Sequence, residues 1–326
     1  MKQPALRLIL ILVALLMPLQ AFAKWETVNI RGTQYVTLNS IKSFYKFKNY
    51  ARQGKSGVLS NSAVRIQVTS NSQECLMNNV KFILTNPVVE HSGRLLISHI
   101  DISKLIDPVL RPAYIGRANS FNTVILDPGH GGKDAGAHNQ YGKESHYNLN
   151  VARKVREILT SQGYKVVMTR ESDRYLTLTQ RVNIANRYSN AIFISIHFNA
   201  GGRRQARGIE TFTLSPQGVA HYGRSVKASD HKLRNGNYHD SANIALATAI
   251  HGRTLQQTRS VQIPDRGIKR ARYSVLTSVK HPAILLEGGF LSHPIEARII
   301  HSPSYQYRIA RGIAEGIIRY QRAVSR

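Results

Sequence analysis

Histidine and carboxylate side chains stand at the ends of several apolar segments in this chain of 326 residues. His130 follows one such segment inside a glycine-rich turn, whereas His197 and Glu287 are each the last residue of another. Glu144 stands where a loop meets an amphipathic segment. Two histidines and a carboxylate are a ligand set of catalytic zinc, which keeps its fourth position for water, and a second carboxylate can move the proton of that water. The four residues together predict a zinc hydrolase site.

The elements that must position these residues alternate between strand and helix after about residue 122. Short apolar runs typical of buried strands are separated by amphipathic runs with a helical period. This alternation predicts an α/β fold with an open, mostly parallel sheet flanked by helices, and in such sheets the site forms at the carboxyl ends of the strands. Strands are predicted at 123–127, 165–169, 191–197, 208–214 and 283–287, and helices at 149–159, 178–188, 242–257 and 305–320.

Short strands separated by turn residues precede this region and indicate a second domain. The segment 36–44 recurs as 97–105, so a strand-then-helix unit is repeated within residues 24–110. The pattern predicts a small α+β accessory domain rich in strands. Proline and glycine residues then indicate a linker at 111–121, before the catalytic domain at 122–326.

The run Ser92-Gly93-Arg94-Leu95-Leu96-Ile97-Ser98 gives the accessory domain a resemblance to a known envelope domain. It resembles the small domain named after the N-terminal domain of copper amine oxidases. The segment has no cluster of copper ligands, and we therefore expect a binding or spacer role for it.

The first 23 residues have the three parts of a secretory signal peptide. Lys2 and Arg7 are basic, an apolar run follows, and Ala21-Phe22-Ala23 matches a cleavage site. The apolar run has about 12 residues, fewer than the roughly 20 that span a bilayer. We therefore expect cleavage after Ala23, no stable membrane anchor afterwards, and an exported protein of the periplasm or cell envelope.

The chain is strongly basic, with 45 Lys and Arg against 18 Asp and Glu and a formal net charge of +27. Such a chain favours a polyanionic partner. Export makes cytoplasmic nucleic acid an unsuitable partner, and we expect none, so an acidic cell-wall polymer is the better target. The single cysteine, Cys75, excludes an internal disulfide and is expected to be a small buried group.

Several motifs occur in a fixed order along the second domain. They are Asp127-Pro128-Gly129-His130-Gly131-Gly132-Lys133-Asp134 with Gly136, Glu144, Thr169-Arg170 with Asp173, Leu178 with Arg181, Ala185 and Asn186, Ser195-Ile196-His197 with Asn199 and Ala200, Asp265-Arg266-Gly267-Ile268-Lys269, and Pro282 to Ser292. Over about 122–322 the chain resembles the zinc-dependent N-acetylmuramoyl-L-alanine amidases of cell division and sporulation. The resemblance implies one zinc ion per chain, held by His130, Glu144 and His197, with Glu287 as the catalytic carboxylate.

The reaction that the resemblance implies is hydrolysis of the amide between N-acetylmuramic acid and the L-alanine of the peptidoglycan stem peptide. Zinc would polarise the carbonyl and activate water, while Glu287 would take the proton of that water and return it to the leaving nitrogen. Two alternatives remain open at this stage. One is a catalytically inactive wall-binding or regulatory protein, and the other is a zinc carboxypeptidase acting on stem peptides.

Several neighbouring residues have more than one interpretation. The family often has Lys or Asn after the ligand Glu, where this chain has Ser145-His146, so His146 competes with Glu144 as a ligand. Asp127 is expected to orient His130 or to cap the turn rather than to bind metal, and Asn199 either caps a strand end or binds a substrate amide. Arg181 and Asn186 are expected to brace the sheet, and His281 is expected to lie in a turn.

The sequence also predicts whether the metal site is open or blocked. Some relatives carry a blocking helix after the strand that corresponds to 208–214, and a Glu from that helix covers the metal until a partner removes it. Here the stretch 211–264 has no Glu, and its only acids are Asp230 and Asp240. We therefore expect an open zinc site that requires no activator protein.

Overall fold

The computed structural model describes residues 25–115, 121–201 and 204–325 of the chain. The signal peptide predicted at 1–23 and part of the predicted linker lie outside these residues. None of the described helices combines the length and the apolarity needed to cross a membrane.

Residues 25–115 form short strands, three short α-helices, one π-helical segment and a final helical turn. The elements are β1 (Thr27–Ile30), β2 (Thr33–Thr37), α1 (Leu38–Phe44), β3 (Asn49–Gln53), β4 (Ser56–Ser60), β5 (Arg65–Thr69), β6 (Glu74–Met77), β7 (Val80–Ile83), β8 (Val89–His91), β9 (Arg94–Ser98), α2 (His99–Asp101), the π-helical segment Ile102–Ile106, α3 (Asp107–Leu110) and the turn Pro112–Tyr114. The strands β1, β2, β9 and β8 form an antiparallel sheet in that order, so the small strand-rich domain is present.

The internal repeat of the sequence is a structural repeat. Its two strands, β2 and β9, pair with each other so that Val36 lies opposite Ile97. Each strand leads into a helix, and the side chains of Thr37 and Ser98 accept a hydrogen bond from the first turn of that helix. Such side-chain caps satisfy a backbone N–H that the helix leaves unpaired. The two copies therefore have equivalent strands and equivalent caps.

The remainder of the chain has the predicted α/β alternation. Its elements are β10 (Thr123–Pro128), β11 (His138–Asn139), β12 (Gly142–Lys143), α4 (Glu144–Ser161), β13 (Lys165–Met168), α5 (Leu178–Ala185), β14 (Ala191–Asn199), β15 (Ile209–Leu214), α6 (Asp240–Thr258), β16 (Asp265–Ala271), α7 (Ser274–Ser278), β17 (Ala283–Phe290), α8 (Pro294–His301) and α9 (Pro303–Val324). The helix α5 ends before the predicted residue 188, since the N–H groups of Arg187 and Tyr188 bond to the carbonyls of Ile184 and Ala185 in turns. The side chain of Asn186 bonds to Ser278 and Lys280.

One large sheet has the strand order β13-β10-β14-β17-β15-β16-β7-β6-β5-β4-β3. The strands β13, β10, β14 and β17 are parallel, whereas β15 runs antiparallel to β17. Neighbouring residues of a strand point to opposite faces. Thus Ile194 packs in the larger core with α4, α6 and α9, whereas Phe193 packs in a second core with α5 and α7. The open, mostly parallel sheet flanked by helices is confirmed.

The N-terminal strands β3 to β7 extend this large sheet. The sequence did not predict this continuation. The contact is made by β7, which runs parallel to β16 with Phe82 opposite Ile268. Asp265 Oδ2 accepts the N–H of Lys81 at 2.8 Å beside this pair. The accessory region therefore continues the β-structure of the catalytic region.

Candidate metal centre

The structure brings His130, Glu144 and His197 together at one edge of the large sheet. His130 follows the carboxyl end of β10, His197 lies near the carboxyl end of the adjacent β14, and Glu144 is the first residue of α4. Glu144 Oε2 lies 3.2 Å from His130 Nε2, and Glu144 Oε1 lies 2.9 Å from His197 Nδ1. One ligand atom of each residue lies within 4.8 Å of the others, and no second group of this kind occurs in the described part of the chain.

The charge of this group suits a divalent cation. Burial by itself would raise the pKa of Glu144, but hydrogen bonds and charge from His130 and His197 hold that pKa well below its usual range. Two backbone N–H groups, those of Ala137 at 2.9 Å and Phe198 at 3.2 Å, also donate to its oxygens. The side chain is therefore an anionic carboxylate between two imidazoles. This donor set is one that zinc uses, so the residues present fit the predicted ion.

Asp134 orients the ring of His130. The backbone of His130 is left-handed, with a φ of +59°, and Gly131 and Asp134 exchange backbone hydrogen bonds within the same turn. Asp134 Oδ2 lies 2.9 Å from His130 Nδ1, while His130 Nε2 faces Glu144. Metal-binding histidines almost always have such a partner on their other nitrogen. The interpretation that Asp127 orients His130 is therefore wrong, because the turn directs the ring towards Asp134.

Asp127 belongs instead to a buried network beneath the turn. Its carboxylate accepts hydrogen bonds from Arg181 Nη1 at 2.8 Å, Thr169 Oγ1 at 2.7 Å and Ser195 Oγ at 2.9 Å. Burial alone would raise the pKa of Asp127, but the charge of Arg181 and these hydrogen bonds lower it. Arg181 Nη2 also donates to the carbonyl of His130 at 2.7 Å. Arg181 therefore braces the loop that carries His130.

Two glycines leave the space that the three converging side chains occupy. A Cβ on Gly129 would lie 2.1 Å from His197 Cε1. A Cβ on Gly136, whose φ is +65°, would lie 2.5 Å from Glu144 Oε2 and 2.7 Å from His130 Cδ2. Contacts this short do not occur between real side chains, and only glycine permits such a close approach. The glycine-rich turn is therefore a packing requirement of the metal centre.

Glu287 lies beside His197 in the register of β14 and β17. It is buried, and its Oε2 has no hydrogen-bond partner within the described residues. Burial raises its pKa well above the usual value, and the negative charges of Glu144 and Glu210 raise it further. Because a general base or acid works best with a pKa near the operating pH, this environment suits a group that carries a proton.

A cavity of about 170 Å³ opens beside the two histidines. His130, His197, Tyr175 and Tyr273 are among its lining residues. Burial raises the pKa of Tyr273 to about 12, with a further contribution from Glu287 and Glu210. The charge of Glu287 acts on Tyr273, so the two residues lie in the same part of the site. A molecule that fills this cavity therefore touches His130 and His197.

The structure separates the remaining candidate residues from the three ligand-type side chains. His146 Nε2 lies 3.2 Å from Asp173 Oδ2, and so it faces a different carboxylate. Asn199 Nδ2 donates to Glu210 Oε1 at 2.7 Å, so its amide is already engaged. His281 contacts the carbonyl of Ala185, Asn186 bonds to Ser278 and Lys280 as described above, and Cys75 is buried.

Three residues of the site received no role from the sequence. Asp134 has a detectable signal, since it stands four residues after His130 in the same motif. Arg170 is fully buried and donates to the carbonyls of Pro128, Gly129 and Ser145. Glu210 is an acid inside the apolar strand β15, a position that requires a charged partner elsewhere in the fold.

Comparison with protein families identifies the C-terminal region. A family model described as N-acetylmuramoyl-L-alanine amidase matches residues 124–319. The curated N-acetylmuramoyl-L-alanine amidase AmiA of Escherichia coli is 32% identical over 219 residues, which cover 60% of this chain and 75% of that protein.

Solved structures agree with this result. The catalytic domain of CwlV, an N-acetylmuramoyl-L-alanine amidase from Bacillus (Paenibacillus) polymyxa, superposes with a TM-score of 0.51 at 32% identity, covering 61% of this chain and 98% of that domain. The CwlD amidase of Clostridioides difficile, solved in complex with the GerS lipoprotein, has a TM-score of 0.50 at 27% identity and covers 61% of this chain and 98% of its own.

Proposed function

The chain belongs to the N-acetylmuramoyl-L-alanine amidase family and is a peptidoglycan amidase, and we propose that it works with one zinc ion held by His130, Glu144 and His197. The observation that carries the proposal is the convergence of these three side chains within 4.8 Å, beside a buried carboxylate that has no partner within the described residues. When bound, zinc supplies a Lewis acid for the scissile carbonyl and lowers the pKa of a coordinated water towards about 7.

Glu287 is the proton carrier in this proposal. Its free Oε2 accepts the proton of the attacking water and later donates it to the nitrogen of the departing L-alanine. The raised pKa supports the first half of this role, since a very acidic carboxyl would not accept the proton of the water. Backbone pairing of β17 with β14 holds Glu287 beside His197, so the carrier does not depend on a flexible loop.

Asp134 and Glu144 maintain the ligand geometry. With Nδ1 of His130 donating to Asp134, the lone pair of Nε2 is directed towards Glu144, where the metal is proposed to bind. Glu144 stays anionic because its pKa is lowered, and it is fixed by the N–H groups of Ala137 and Phe198. These contacts orient the ligands before substrate arrives.

Mass spectrometry of digested sacculi tests the reaction against its alternatives. Release of intact stem peptides is expected for an amidase, loss of a terminal alanine for a zinc carboxypeptidase, and no change for an inactive wall-binding protein. The same digestion after chelation, and after zinc is restored, tests the metal requirement. Release of stem peptides that is unaffected by complete removal of zinc would overturn the assignment of the metal.

We also propose that the enzyme needs no activator protein. Both Oδ atoms of Asp230 pair with Arg224, and Asp240 lies near Lys104 and bonds to Asn237. These contacts support an unblocked metal centre, since the two acids of the 211–264 stretch are engaged elsewhere. Because the CwlD relative was solved with a lipoprotein, activity is to be measured on the purified chain alone.

We further propose that residues 1–23 act as a cleaved signal peptide. The mature protein then acts on peptidoglycan in the periplasm or cell envelope, without a membrane anchor or a nucleic-acid partner. The similarity of residues 24–110 to the copper amine oxidase N-terminal domain and the boundaries of the linker at 111–121 stay predictions.

A further inference from the structure

A second cavity lies between the N-terminal region and the helices α6 and α9. Its volume is about 440 Å³. Its lining residues come mostly from the strands β6 and β7, from the segment 108–112, and from α6 and α9. None of them lines the cavity beside His130 and His197, and the proposed reaction uses none of them.

Most of the residues that line this second cavity are apolar. Several of them pack against the core and yet are only partly buried, namely Val64, Val80, Val109, Leu110 and Ala249. Removing such apolar surface from water is favourable, because the hydrophobic effect scales with the apolar area that is covered. The second cavity therefore suits a ligand that has an apolar part.

Two arginines are the charged residues of this lining, and neither has an acidic partner. Arg253 of α6 donates from Nη1 to the side chain of Gln256, which carries no charge. Arg319 of α9 is exposed and forms no ion pair or hydrogen bond with any residue that the structure describes. No Asp or Glu is among the described residues that line the cavity. The positive charge of the two guanidiniums is therefore available to an anion.

The size of the second cavity favours a small molecule over a segment of another protein. Two turns of an α-helix with its side chains form a cylinder about 10 Å wide and about 11 Å long, or roughly 850 Å³. The cavity has about half of that volume. Small-molecule sites of roughly 300–1,000 Å³ are typically apolar with a few polar groups, which is the composition found here.

We propose that the second cavity binds a single-chain anionic amphiphile. Its acyl chain covers the apolar residues, and its carboxylate or phosphate pairs with Arg253 and Arg319, since guanidiniums bind both of these anions. A molecule in this position contacts the N-terminal strands and the helices α6 and α9 at once, and so it also stabilises their association. The inference does not depend on the proposed reaction.

Calorimetric titration of the full chain with monomeric ligands tests the two parts of the proposal separately. Among saturated carboxylates, acetate is expected not to bind, and from octanoate to dodecanoate each added CH₂ is expected to raise the affinity about fourfold. Dodecanol has the same chain without the charge and is expected to bind at least about tenfold more weakly than dodecanoate, the size of one hydrogen bond to a charged group. Dodecyl phosphate is the second anion, and its affinity relative to dodecanoate identifies the preferred head group.

Substitutions locate the binding in the second cavity. Ala249→Leu fills part of the cavity and is expected to weaken dodecanoate binding about tenfold or more, whereas Ala249→Ser keeps the space and is its matched control. Arg319→Gln is expected to reduce the preference for dodecanoate over dodecanol. Arg311→Gln is the control for this change of charge, since Arg311 is an exposed residue of α9 paired with Glu315.

Arg319→Gln keeps the test decisive if Ala249→Leu fails to fold, because Arg319 is exposed and supports no contact within the described structure. Thermal unfolding of each variant reports its folding. Equal affinity for dodecanol and dodecanoate, no saturable binding of either dodecanoate or dodecyl phosphate, or dodecanoate binding that is unchanged in both folded variants would overturn the inference. Muropeptide release by the same preparations tests the proposed function independently, so the failure of one does not imply the failure of the other.

Discussion

Glu287 lies directly opposite Glu210 on the neighbouring antiparallel strand, and of the two only Glu210 has cationic partners in the described structure. Arg266 Nε lies 2.8 Å from Glu210, and Lys269 Nζ contacts the same carboxylate oxygen. The two cations offset part of the charge of Glu210, whereas Glu287 has no cationic partner among the described residues and its pKa is raised. The two adjacent carboxylates therefore have different electrostatic surroundings.

Removal of one of these cations is expected to move the acid side of the pH–rate profile. In Lys269→Gln, Glu210 keeps Arg266 alone, so more of its negative charge faces Glu287 and raises the pKa of Glu287 further. Activity that requires ionised Glu287 then begins at a higher pH in the profile of kcat/KM. Lys165→Gln is the control, because Lys165 is the exposed residue of β13. An acid limb that moves to lower pH in Lys269→Gln would contradict this prediction.

Glu287→Gln separates proton transfer from metal binding. The amide has nearly the same shape but cannot accept the proton, so turnover is expected to fall by roughly 10²–10⁴ while zinc content stays near that of the wild type. Metal content by atomic emission and rates of muropeptide release measure the two effects. Loss of zinc in this variant would mean that Glu287 is itself a ligand.

His130→Ala and His197→Ala are each expected to lower zinc content and abolish hydrolysis. Each substitution removes one of three proposed protein ligands, which weakens the binding of the metal directly. His293→Ala serves as the comparison, because His293 lies at the start of α8 and caps that helix. A well-folded double variant of His130 and His197 that still holds stoichiometric zinc would refute the ligand assignment.

Gly129→Ala tests the packing of the metal centre. Its added Cβ would lie 2.1 Å from His197 Cε1, so the ring must move, and a displacement near 1 Å can reduce the rate by about 10². Gly252→Ala in α6 is the matched control, because its Cβ would lie 3.6 Å from Val80 Cγ2, an ordinary contact. Alanine also favours the interior of a helix by up to about 1 kcal/mol over glycine, so the control is expected to be active and at least as stable in thermal unfolding.

Binding of the protein to sacculi is expected to weaken as the salt concentration rises. The loop around Lys227, Lys232 and Arg234 is basic, and its attraction for stem-peptide carboxylates falls as the Debye length shrinks to several Å above about 0.3 M salt. Co-sedimentation with sacculi at increasing salt measures this.

The purified chain is expected to be active without an activator protein. A chain that stays inactive until Asp230 or Asp240 is replaced, or until a partner is added, would show that the site is blocked.

The sequence predicted the positions of those site residues that follow from local pattern and sheet topology. His130, His197 and Glu287 each follow or end a predicted strand, and the carboxyl ends of parallel strands meet at one edge of a sheet. The role of Asp134 depended on the left-handed turn at His130, which no periodicity reveals. The neutralisation of Glu210 depends on the pairing of β15 with β16, a long-range contact that a single sequence does not specify.

The pairing of β7 with β16 also changes which strand forms the outer border of the sheet. An unpaired border strand offers its backbone N–H and C=O groups to other chains and promotes aggregation. Most of β16 is buried, so a shortened chain without residues 25–115 would expose the backbone groups of a strand that the full chain covers. In the full chain that position passes to β3, a largely exposed and polar strand whose Arg52 pairs with Glu90. In the full chain, the N-terminal region therefore covers the backbone groups that β16 would otherwise leave unpaired.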